Sequence, residues 1–518
     1  MSSAIKVIFA QLNYNKLLQI LPFLVSILIS VIIIWQSTFY RWFGYETIPP
    51  PITDEFNYVW QGLSLRSTGL PVAWTTISHV YTGQKNNPRA GNLVGFAMKS
   101  ENTLINLQEF KRNARPIFAK EQMDYMKGTE LMFFVAPFFD HPPLGGLIYS
   151  LGENSSIQTA DQVKPDAFRK PALAIAIITA ALLFIFIYII TQNPQVATLA
   201  VIVYSTVPTY LLATRTAFLE NIEPPFILIH LILLFLGIKI YQKQTRVPLV
   251  IPIILFSGLF GGLAFLAKEP AIGFLIGSLI LLIINKIPKK ITFAFLLSAS
   301  IPMLLYFAWG LWLQKDIFLD ILNANATRGY FGALKPITML EALKFKNFPV
   351  DGWWVWGLLS FVIVSLNIKS RNLLYLLLPL FTHYLLIMLI GSENYPWYLI
   401  SLVPFLAGTA AIAIWQIYET PKIATAYAFF FIAFSSSYYW GRIALGLKPS
   451  IVHYRWIFLI FTSFLLARFF FGKYKFVRFI WFIFLAYLIY KSIIYNNLFL
   501  PYLVAHWGNL PALSLSSF

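Results

Sequence analysis

The stretch Asp140-His141-Pro142-Pro143-Leu144-Gly145-Gly146-Leu147 lies near the end of a long polar segment, residues 41–170, which is flanked by hydrophobic runs. The pair Asp54-Glu55 lies near the start of the same segment. Most of the remaining chain is apolar, with 58% hydrophobic and only 12% charged residues in a length of 518. This composition indicates an integral membrane protein, so the polar interruption is the first place to look for chemistry.

Repeated apolar runs predict the fold class. An apolar helix of about 20 residues crosses the ~30 Å hydrocarbon core of a bilayer. We therefore predict an all-α polytopic membrane protein with a bundle of about thirteen transmembrane helices. The first run, 17–39, is too long for a cleaved signal peptide, so we expect it to be a retained span. The other predicted spans are 171–190, 196–212, 225–240, 247–267, 271–284, 291–313, 353–368, 373–390, 398–417, 423–440, 456–471 and 479–498.

These spans divide the chain into regions. We predict that the polar segment is an extracytoplasmic loop with juxtamembrane helices that carries the candidate catalytic motifs, and that a second extracytoplasmic loop covers it. The predicted regions are the N-terminus with the first helix (1–40), the polar loop (41–170), a first helical module (171–313), the cover loop (314–352), the C-terminal helices (353–498) and a short extracytoplasmic tail (499–518).

Basic residues set the predicted orientation. The formal net charge is +18, and the short loops that contain Lys239, Lys286, Lys369, Lys422 and Lys473 are basic. Such loops favour the cytoplasm and anionic lipid, so a membrane explains the charge better than nucleic acid does. All of these loops lie inside if the N-terminus is cytoplasmic and residues 131–152 form an interfacial helix that does not cross. The absence of cysteine excludes disulfides, thiolate metal sites and a cysteine nucleophile.

Asp54 and Glu55 are the first candidate catalytic pair. They follow Pro49-Pro50-Pro51, which stiffens the chain where it leaves the first span. A carboxylate near an apolar boundary suits a general base, because partial desolvation raises its pKa toward the working pH. The alternative is that the pair is a solvated surface feature.

Asp140 and His141 are candidates for substrate binding. The prolines that follow them suit the first turn of a helix, whose N-terminus favours a phosphate or another anion. The alternative is a capping aspartate in front of an interfacial helix.

Further candidates lie at the ends of predicted spans. Arg215 and Glu220 close one span, and Lys268 lies in a tight turn where it either binds a phosphate or extends its stem along the membrane boundary. The stretch 392–398, with Glu393, Tyr395 and Tyr398, lines the same mouth or forms part of an interfacial aromatic belt. His230 and His383 lie within spans, where we expect hydrogen-bonded packing.

Together these motifs resemble the GT-C superfamily of membrane glycosyltransferases, most closely the protein O-mannosyltransferases and the lipid A aminoarabinose transferases. The resemblance covers mainly residues 1–270. Residues 397–404 are similar to a pattern of the aminoarabinose branch. The motifs are Asp54-Glu55, His141-Pro142-Pro143-Leu144, Arg169-Lys170-Pro171-Ala172, Arg215 to Asn221 and Gly262 to Lys268.

The resemblance implies a GT-C-like bundle and an enzyme that transfers a sugar from a polyprenyl-monophosphate carrier to a protein, lipid or glycan hydroxyl. Transfer would occur at the extracytoplasmic face, with inversion at the anomeric carbon. The resemblance also implies a prokaryotic enzyme of the plasma membrane, since no added lumenal domain of the eukaryotic kind is present. The rival from another class is a lipid or lipid-linked sugar transporter or flippase.

The resemblance also assigns roles to residues. Asp54 matches the catalytic base, Glu55 a supporting carboxylate, and Glu220 stands where the family usually has Asp. Lys268 matches the lysine near the carrier phosphate, and Gly145-Gly146 replaces the Gly-Lys found in many O-mannosyltransferases. The remaining predicted substrate contacts are Asp140, His141, Arg169, Arg215, Glu393, Tyr395 and Tyr398. No cofactor is required, although Glu55, Asp140 and His141 together would suit a divalent metal ion.

Overall fold

The computed structural model describes residues 14–75, 133–135, 137–154, 157, 162–243, 247–327, 352–390 and 396–507. The helices are α1 (Tyr14–Trp42), α2 (Thr53–Thr68), α3 (Leu144–Ser150), α4 (Pro165–Phe168), α5 (Lys170–Thr191), α6 (Pro194–Thr206), α7 (Pro208–Ala213), α8 (Glu223–Gln242), α9 (Val247–Ala267), α10 (Ile272–Ile284), α11 (Lys289–Ala326), α12 (Gly352–Leu366), α13 (Leu374–Ile390), α14 (Val403–Glu419), α15 (Ile423–Ala428), α16 (Ser435–Ala444), α17 (Ile451–Phe471) and α18 (Lys475–Ala505). Short 3₁₀ segments cover Leu219–Asn221, Glu269–Ala271, Arg371–Leu373 and Pro396–Leu402, and a π-helical segment, Phe429–Phe434, joins α15 to α16. Two short antiparallel strands, β1 (Ala73–Thr75) and β2 (Phe133–Val135), complete the described elements.

The predicted helical membrane class is confirmed. Within the described ranges, 9 helices are long and apolar enough to cross a membrane, and three shorter apolar helices accompany them, Pro194–Thr206, Glu269–Ile284 and Gly352–Leu366. Helices lie at each predicted span, but the number of crossings, about thirteen, stays a prediction.

The helix that follows the Pro-Pro motif is too short to cross a membrane. The long interfacial helix predicted over 131–152 is wrong in detail, because the structure has β2, an irregular turn and the short helix α3 in its place. The 7 residues of α3 extend about 10 Å at 1.5 Å per residue, too little to cross the hydrocarbon core. The condition for placing the basic loops on one side is therefore met.

The cover loop starts later than predicted. Helix α11 bends at Gln314 (φ −161°, ψ 84°) and then continues to Ala326. The reason is an apolar face in this part of the helix: Phe318 and Ile321 are buried, and Phe318 packs edge-on against Phe139 with ring centroids 5.2 Å apart. The end of α11 therefore lies against the turn that precedes His141.

Helices α2 and α3 cross at two glycines. A Cβ atom on Gly62 would lie 2.0 Å from the carbonyl oxygen of Gly146, and one on Gly146 would lie 2.5 Å from the carbonyl oxygen of Tyr58. Both obstacles are backbone atoms, so no side-chain rotation relieves them. The close crossing explains why glycine stands at position 146, where the resemblance leads one to expect lysine, and it brings Tyr58 beside His141.

Candidate functional site

Helix α2 presents Asp54 and Glu55 in its first turn. Carboxylates are favoured there by the helix dipole, and the Glu55 Oε1 atom accepts a hydrogen bond from the Ile52 N–H at 3.4 Å. Gly69 follows the last residue of the helix, and its left-handed φ of 72° suits glycine. The two acids have different surroundings: Asp54 is half-buried, whereas Glu55 is buried.

Glu55 and Arg169 form a buried ion pair. The Arg169 Nε atom donates to Glu55 Oε2 at 2.8 Å, and Nη2 donates to Glu55 Oε1. The Nη1 atom donates to the carbonyl oxygens of Tyr45 and Pro49, while the Ala217 N–H donates to Glu55 Oε2 at 2.7 Å. Each guanidinium nitrogen of Arg169 is thus already used. Breaking such a buried pair typically costs about 3–5 kcal/mol.

This geometry changes two predicted roles. We predicted Arg169 as a substrate contact and Glu55 as a supporting catalytic carboxylate. Because the pair saturates both side chains inside the protein, we assign Arg169 and Glu55 to positioning. They hold the start of α2 against the start of α5 and the turn at Ala217, which fixes the height of Asp54.

Lys268 is the centre of a second group of side chains. Its ammonium lies 3.6 Å from Glu220 Oε1 and 3.2 Å from the His141 ring nitrogens. The same nitrogen lies 5.2 Å from the centre of the Tyr398 ring and 5.9 Å from that of Tyr58, within cation–π range. We call these five residues the lysine cluster. They come from five distant parts of the chain and surround Lys268, which is only 2% exposed.

Asp54 lies within electrostatic range of the lysine cluster. Burial raises the pKa of the Tyr58 hydroxyl well above its ordinary value, and the charges of Asp54 and Glu220 raise it further. Tyr58 follows Asp54 by one turn of α2. Tyr58 therefore keeps its proton at physiological pH. Because Asp54 and Lys268 both lie near Tyr58, they are on the same side of the bundle.

Three residues beside the site were not predicted: Tyr58, Gln61 and Glu269. Glu269 Oε2 lies 3.6 Å from His141 Nδ1, and the Gln61 Nε2 atom donates to the His141 carbonyl oxygen at 3.0 Å. Tyr58 and Gln61 lie four and seven positions after Asp54, so recognising α2 as a helix would have placed all three on one face. Acids in the first turn and Arg66 in the last turn are typical of a helix, and this charge pattern could have identified α2 from the sequence.

Asp140 lies beside the lysine cluster without capping the next helix. The Thr75 hydroxyl donates to Asp140 Oδ2, and Asn325 Nδ2 donates to the Asp140 carbonyl oxygen at 3.1 Å. The cap position of α3 is Pro143, and no side chain caps it. The alternative of a capping aspartate is therefore wrong, and Asp140 instead joins β1 and the end of α11 to the turn that carries His141.

Arg215 belongs to a different neighbourhood from Lys268. It is fully buried, and its Nη1 atom donates to the Phe43 carbonyl oxygen at 2.9 Å. Burial lowers the pKa of Arg215 to about 9, and the charges of Arg169 and Arg41 lower it further, whereas the Glu46 charge raises it. No contact joins Arg215 to the lysine cluster in the described part of the chain. The prediction that Arg215 contacts the donor together with Lys268 is not supported by this placement.

Two further predictions concern the substrate contacts Glu393 and Tyr395 and a divalent metal site. Glu393 and Tyr395 lie outside the described residues. The metal set proposed from Glu55, Asp140 and His141 does not form, because Glu55 faces Arg169. Among the residues that the structure describes, no group of three or more metal-ligating side chains is assembled.

Glu153 makes a pH dependence of stability testable. It is buried in the turn after α3 and accepts a hydrogen bond from the Lys164 N–H at 3.0 Å. Burial raises its pKa from 4.5 to about 7. Because the folded state holds this proton more tightly than the unfolded state, the contribution of Glu153 is most favourable below pH 4.5 and is lost as pH rises to 7.

We therefore expect Glu153→Gln to raise the midpoint of thermal unfolding in detergent by about 2–4 °C at pH 8. At pH 4.5 we expect little change, because Glu153 is protonated there in the folded protein. An equal shift at both pH values would contradict the role of the buried charge.

Comparisons with known proteins agree with this architecture. Residues 140–312, which include His141, Glu220 and Lys268, match the dolichyl-phosphate-mannose-protein mannosyltransferase family. The fold is similar to the crystal structure of ArnT from Cupriavidus metallidurans bound to undecaprenyl phosphate, with a TM-score of 0.51, 10% identity and coverage of 92% of this chain and 76% of that one. The apo state of the same ArnT gives a TM-score of 0.50, 10% identity and coverage of 92% and 75%.

A search among curated protein sequences finds no significant match. The resemblance predicted from the motifs is confirmed: the fold is similar to that of ArnT, and residues 140–312 match a mannosyltransferase family.

Proposed function

We propose that this protein transfers a sugar from a polyprenyl-monophosphate carrier to a hydroxyl acceptor at the extracytoplasmic face of the membrane. The observation that carries the proposal is the buried ammonium of Lys268, which lies on the same side of the bundle as the half-exposed carboxylate of Asp54. The family match and the undecaprenyl phosphate bound to the similar ArnT support a carrier of this class.

In the proposed reaction, Asp54 accepts the proton of the acceptor hydroxyl as its oxygen attacks the anomeric carbon. The bond between that carbon and the phosphate oxygen breaks, and its electron pair stays on the carrier phosphate. One displacement of this kind inverts the anomeric configuration. A positioned base contributes about 10²–10⁴-fold to such a step.

Lys268 stabilises the leaving phosphate in this scheme. A positive charge stabilises a leaving phosphate more strongly in a site from which water is excluded. Lys268 is in such a site, buried between the rings of Tyr58 and Tyr398. Glu220 lies opposite the ammonium and balances its charge before the donor binds. The His141 ring lies on a third side of the ammonium, with its nitrogens 3.2 Å away.

The transporter reading is less well supported. A transporter places ionisable groups near the middle of the bilayer at broken helices. The two buried histidines within the bundle are instead packing residues: His230 bonds to Ser278 Oγ at 2.7 Å and His383 to Ser401 Oγ at 2.8 Å.

We further propose that the enzyme works in the plasma membrane of a prokaryote, and that its acceptor is a hydroxyl of a protein, lipid or glycan. Asp140 and Tyr398 lie where they would line the donor or acceptor path. The roles of Glu393 and Tyr395 stay predictions.

Replacing Lys268 with Ala tests the donor site. We expect the variant to bind an undecaprenyl-phosphate-linked sugar at least tenfold more weakly, because a hydrogen-bonded charge contact with the phosphate is lost. The measurement is mass spectrometry of lipid that copurifies with the protein, followed by titration with the synthetic donor. The matched control is Lys473→Ala, since Lys473 is exposed. Unchanged affinity in Lys268→Ala would remove the assignment.

A further inference from the structure

Three arginines are buried together away from Lys268. Arg41, Arg169 and Arg215 are each 0% exposed, and we call them the arginine cluster. Arg215 feels the positive charges of both others. In the described part of the chain, Glu55 is the carboxylate that pairs with this cluster, and it is fully engaged with Arg169.

The buried guanidinium groups of Arg41 and Arg215 differ in their hydrogen-bond partners. Arg41 Nη1 donates to Ser37 Oγ at 2.7 Å, Nε donates to Thr214 Oγ1 at 3.3 Å, and the guanidinium carbon lies 5.2 Å from the centre of the Tyr204 ring. Neutral partners therefore surround Arg41. Arg215 uses Nη1 for the Phe43 carbonyl oxygen, but its Nε and Nη2 atoms are buried without a hydrogen-bond partner.

The unpartnered atoms of Arg215 lie on one edge of the guanidinium group. Nε and Nη2 form the edge that donates two parallel hydrogen bonds to a carboxylate or a phosphate. Leaving a buried charge uncompensated is strongly destabilising, by several kcal/mol in typical proteins. An occupant of opposite charge with two oxygen atoms would satisfy both the charge and the geometry.

The position of the cluster indicates where the occupant comes from. Arg41 lies in the last turn of α1, a candidate span that ends at Trp42. Trp42 and Phe43 are 45% and 43% exposed, as expected for aromatic residues at a membrane interface. Arg215 donates to the carbonyl oxygen of Phe43, which places its guanidinium group next to this end of α1.

We propose that the Nε–Nη2 edge of Arg215 binds a phosphate-type oxyanion at this interface, supplied by an anionic lipid head group or by free phosphate. The site lies outside the lysine cluster and does not take part in sugar transfer as proposed above. Binding there neutralises the arginine cluster and stabilises the junction between α1, the 43–49 turn and the chain after α7.

The experiment compares thermal unfolding of the full chain in phosphatidylcholine nanodiscs, with and without phosphatidylglycerol, and in detergent with inorganic phosphate at constant ionic strength. We expect phosphatidylglycerol to raise the unfolding midpoint of the unmodified protein by about 2–4 °C. The rise should persist in Lys268→Ala and in the control Arg442→Gln, and it should be lost in Arg215→Gln. Arg215→Lys should recover part of it, because the charge remains but the paired donors do not.

The two sources are distinguished by the arms of the experiment. A rise with phosphatidylglycerol alone identifies a lipid head group, and a rise with inorganic phosphate as well identifies a site open to free phosphate. The proposal is overturned if neither anion raises the midpoint, or if Lys268→Ala alone abolishes the rise. It is also overturned if Arg215→Gln is as stable as the unmodified protein and still responds. A loss of stability in Glu46→Gln, with no anion response in the unmodified protein, would make Glu46 the internal counter-ion instead.

Discussion

Replacing Asp54 with Asn should lower the rate of sugar transfer by about 10²–10⁴-fold while leaving donor binding nearly unchanged. Asparagine has the same shape but does not accept the proton of the acceptor hydroxyl. Stability should fall by less than about 1 kcal/mol, because the variant loses only a favourable charge near the N-terminus of α2. The measurement is single-turnover transfer to an identified acceptor, alongside titration with the polyprenyl-phosphate donor.

Asp166→Asn is the matched control for this experiment. Like Asp54, Asp166 is an acid in the first turn of a helix, but it is exposed and lies in α4, outside the lysine cluster. If Asp54→Asn transferred sugar at the normal rate, Asp54 would not be the base. If both variants lost donor binding equally, the effect would be structural.

Replacing Gly146 with Ala should disrupt the site more broadly. The new methyl group would lie 2.5 Å from the Tyr58 carbonyl oxygen, so α2 and α3 must move apart. We expect a loss of about 1–3 kcal/mol in stability and a fall in transfer of up to about 10²-fold, because Asp54 moves relative to Lys268. Thermal unfolding and transfer rates measure the two effects.

Gly145→Ala provides the neighbouring control. A Cβ at Gly145 would meet the end of the Leu219 side chain at 2.3 Å, and the backbone atom in its way, the Ala267 carbonyl oxygen, is 3.4 Å away. Since a leucine side chain rotates more easily than a helix moves, this variant should be the milder of the two. Equal damage from both substitutions would show that the backbone crossing is not the critical contact.

The sequence was most informative where composition and periodicity act locally. Long apolar runs predicted the helical membrane fold, and the short basic loops predicted an orientation in which Asp54 and Lys268 share one side. The kink at Gln314 was not predicted, because the burial of Phe318 depends on Phe139, far away in the chain. Contacts of that kind leave no periodic signal in either segment.

In the candidate site, too, the sequence indicated individual residues but not the contacts between distant segments. The motifs drew attention to His141 and Lys268, which the structure places 3.2 Å apart. They did not reveal that Arg169 is saturated by Glu55, since the two residues come from distant segments and only the folded geometry shows which donors remain. Arg215 was grouped with Lys268 because both are cations at span ends, but its side chain lies with the other buried arginines.

The Glu55–Arg169 pair has a consequence for mutagenesis. Two neighbouring acids in one motif have different roles under the proposed reaction: Asp54 is the base, whereas Glu55 forms the buried ion pair with Arg169 that positions α2. Removing both at once would yield a protein whose inactivity has two causes that no assay of product separates. In a randomised library sorted by the amount of folded protein, variants with a substitution at Glu55 should be rare, whereas variants with a substitution at Asp54 should be common. Variants at Asp54 should become rare only when the library is selected for sugar transfer.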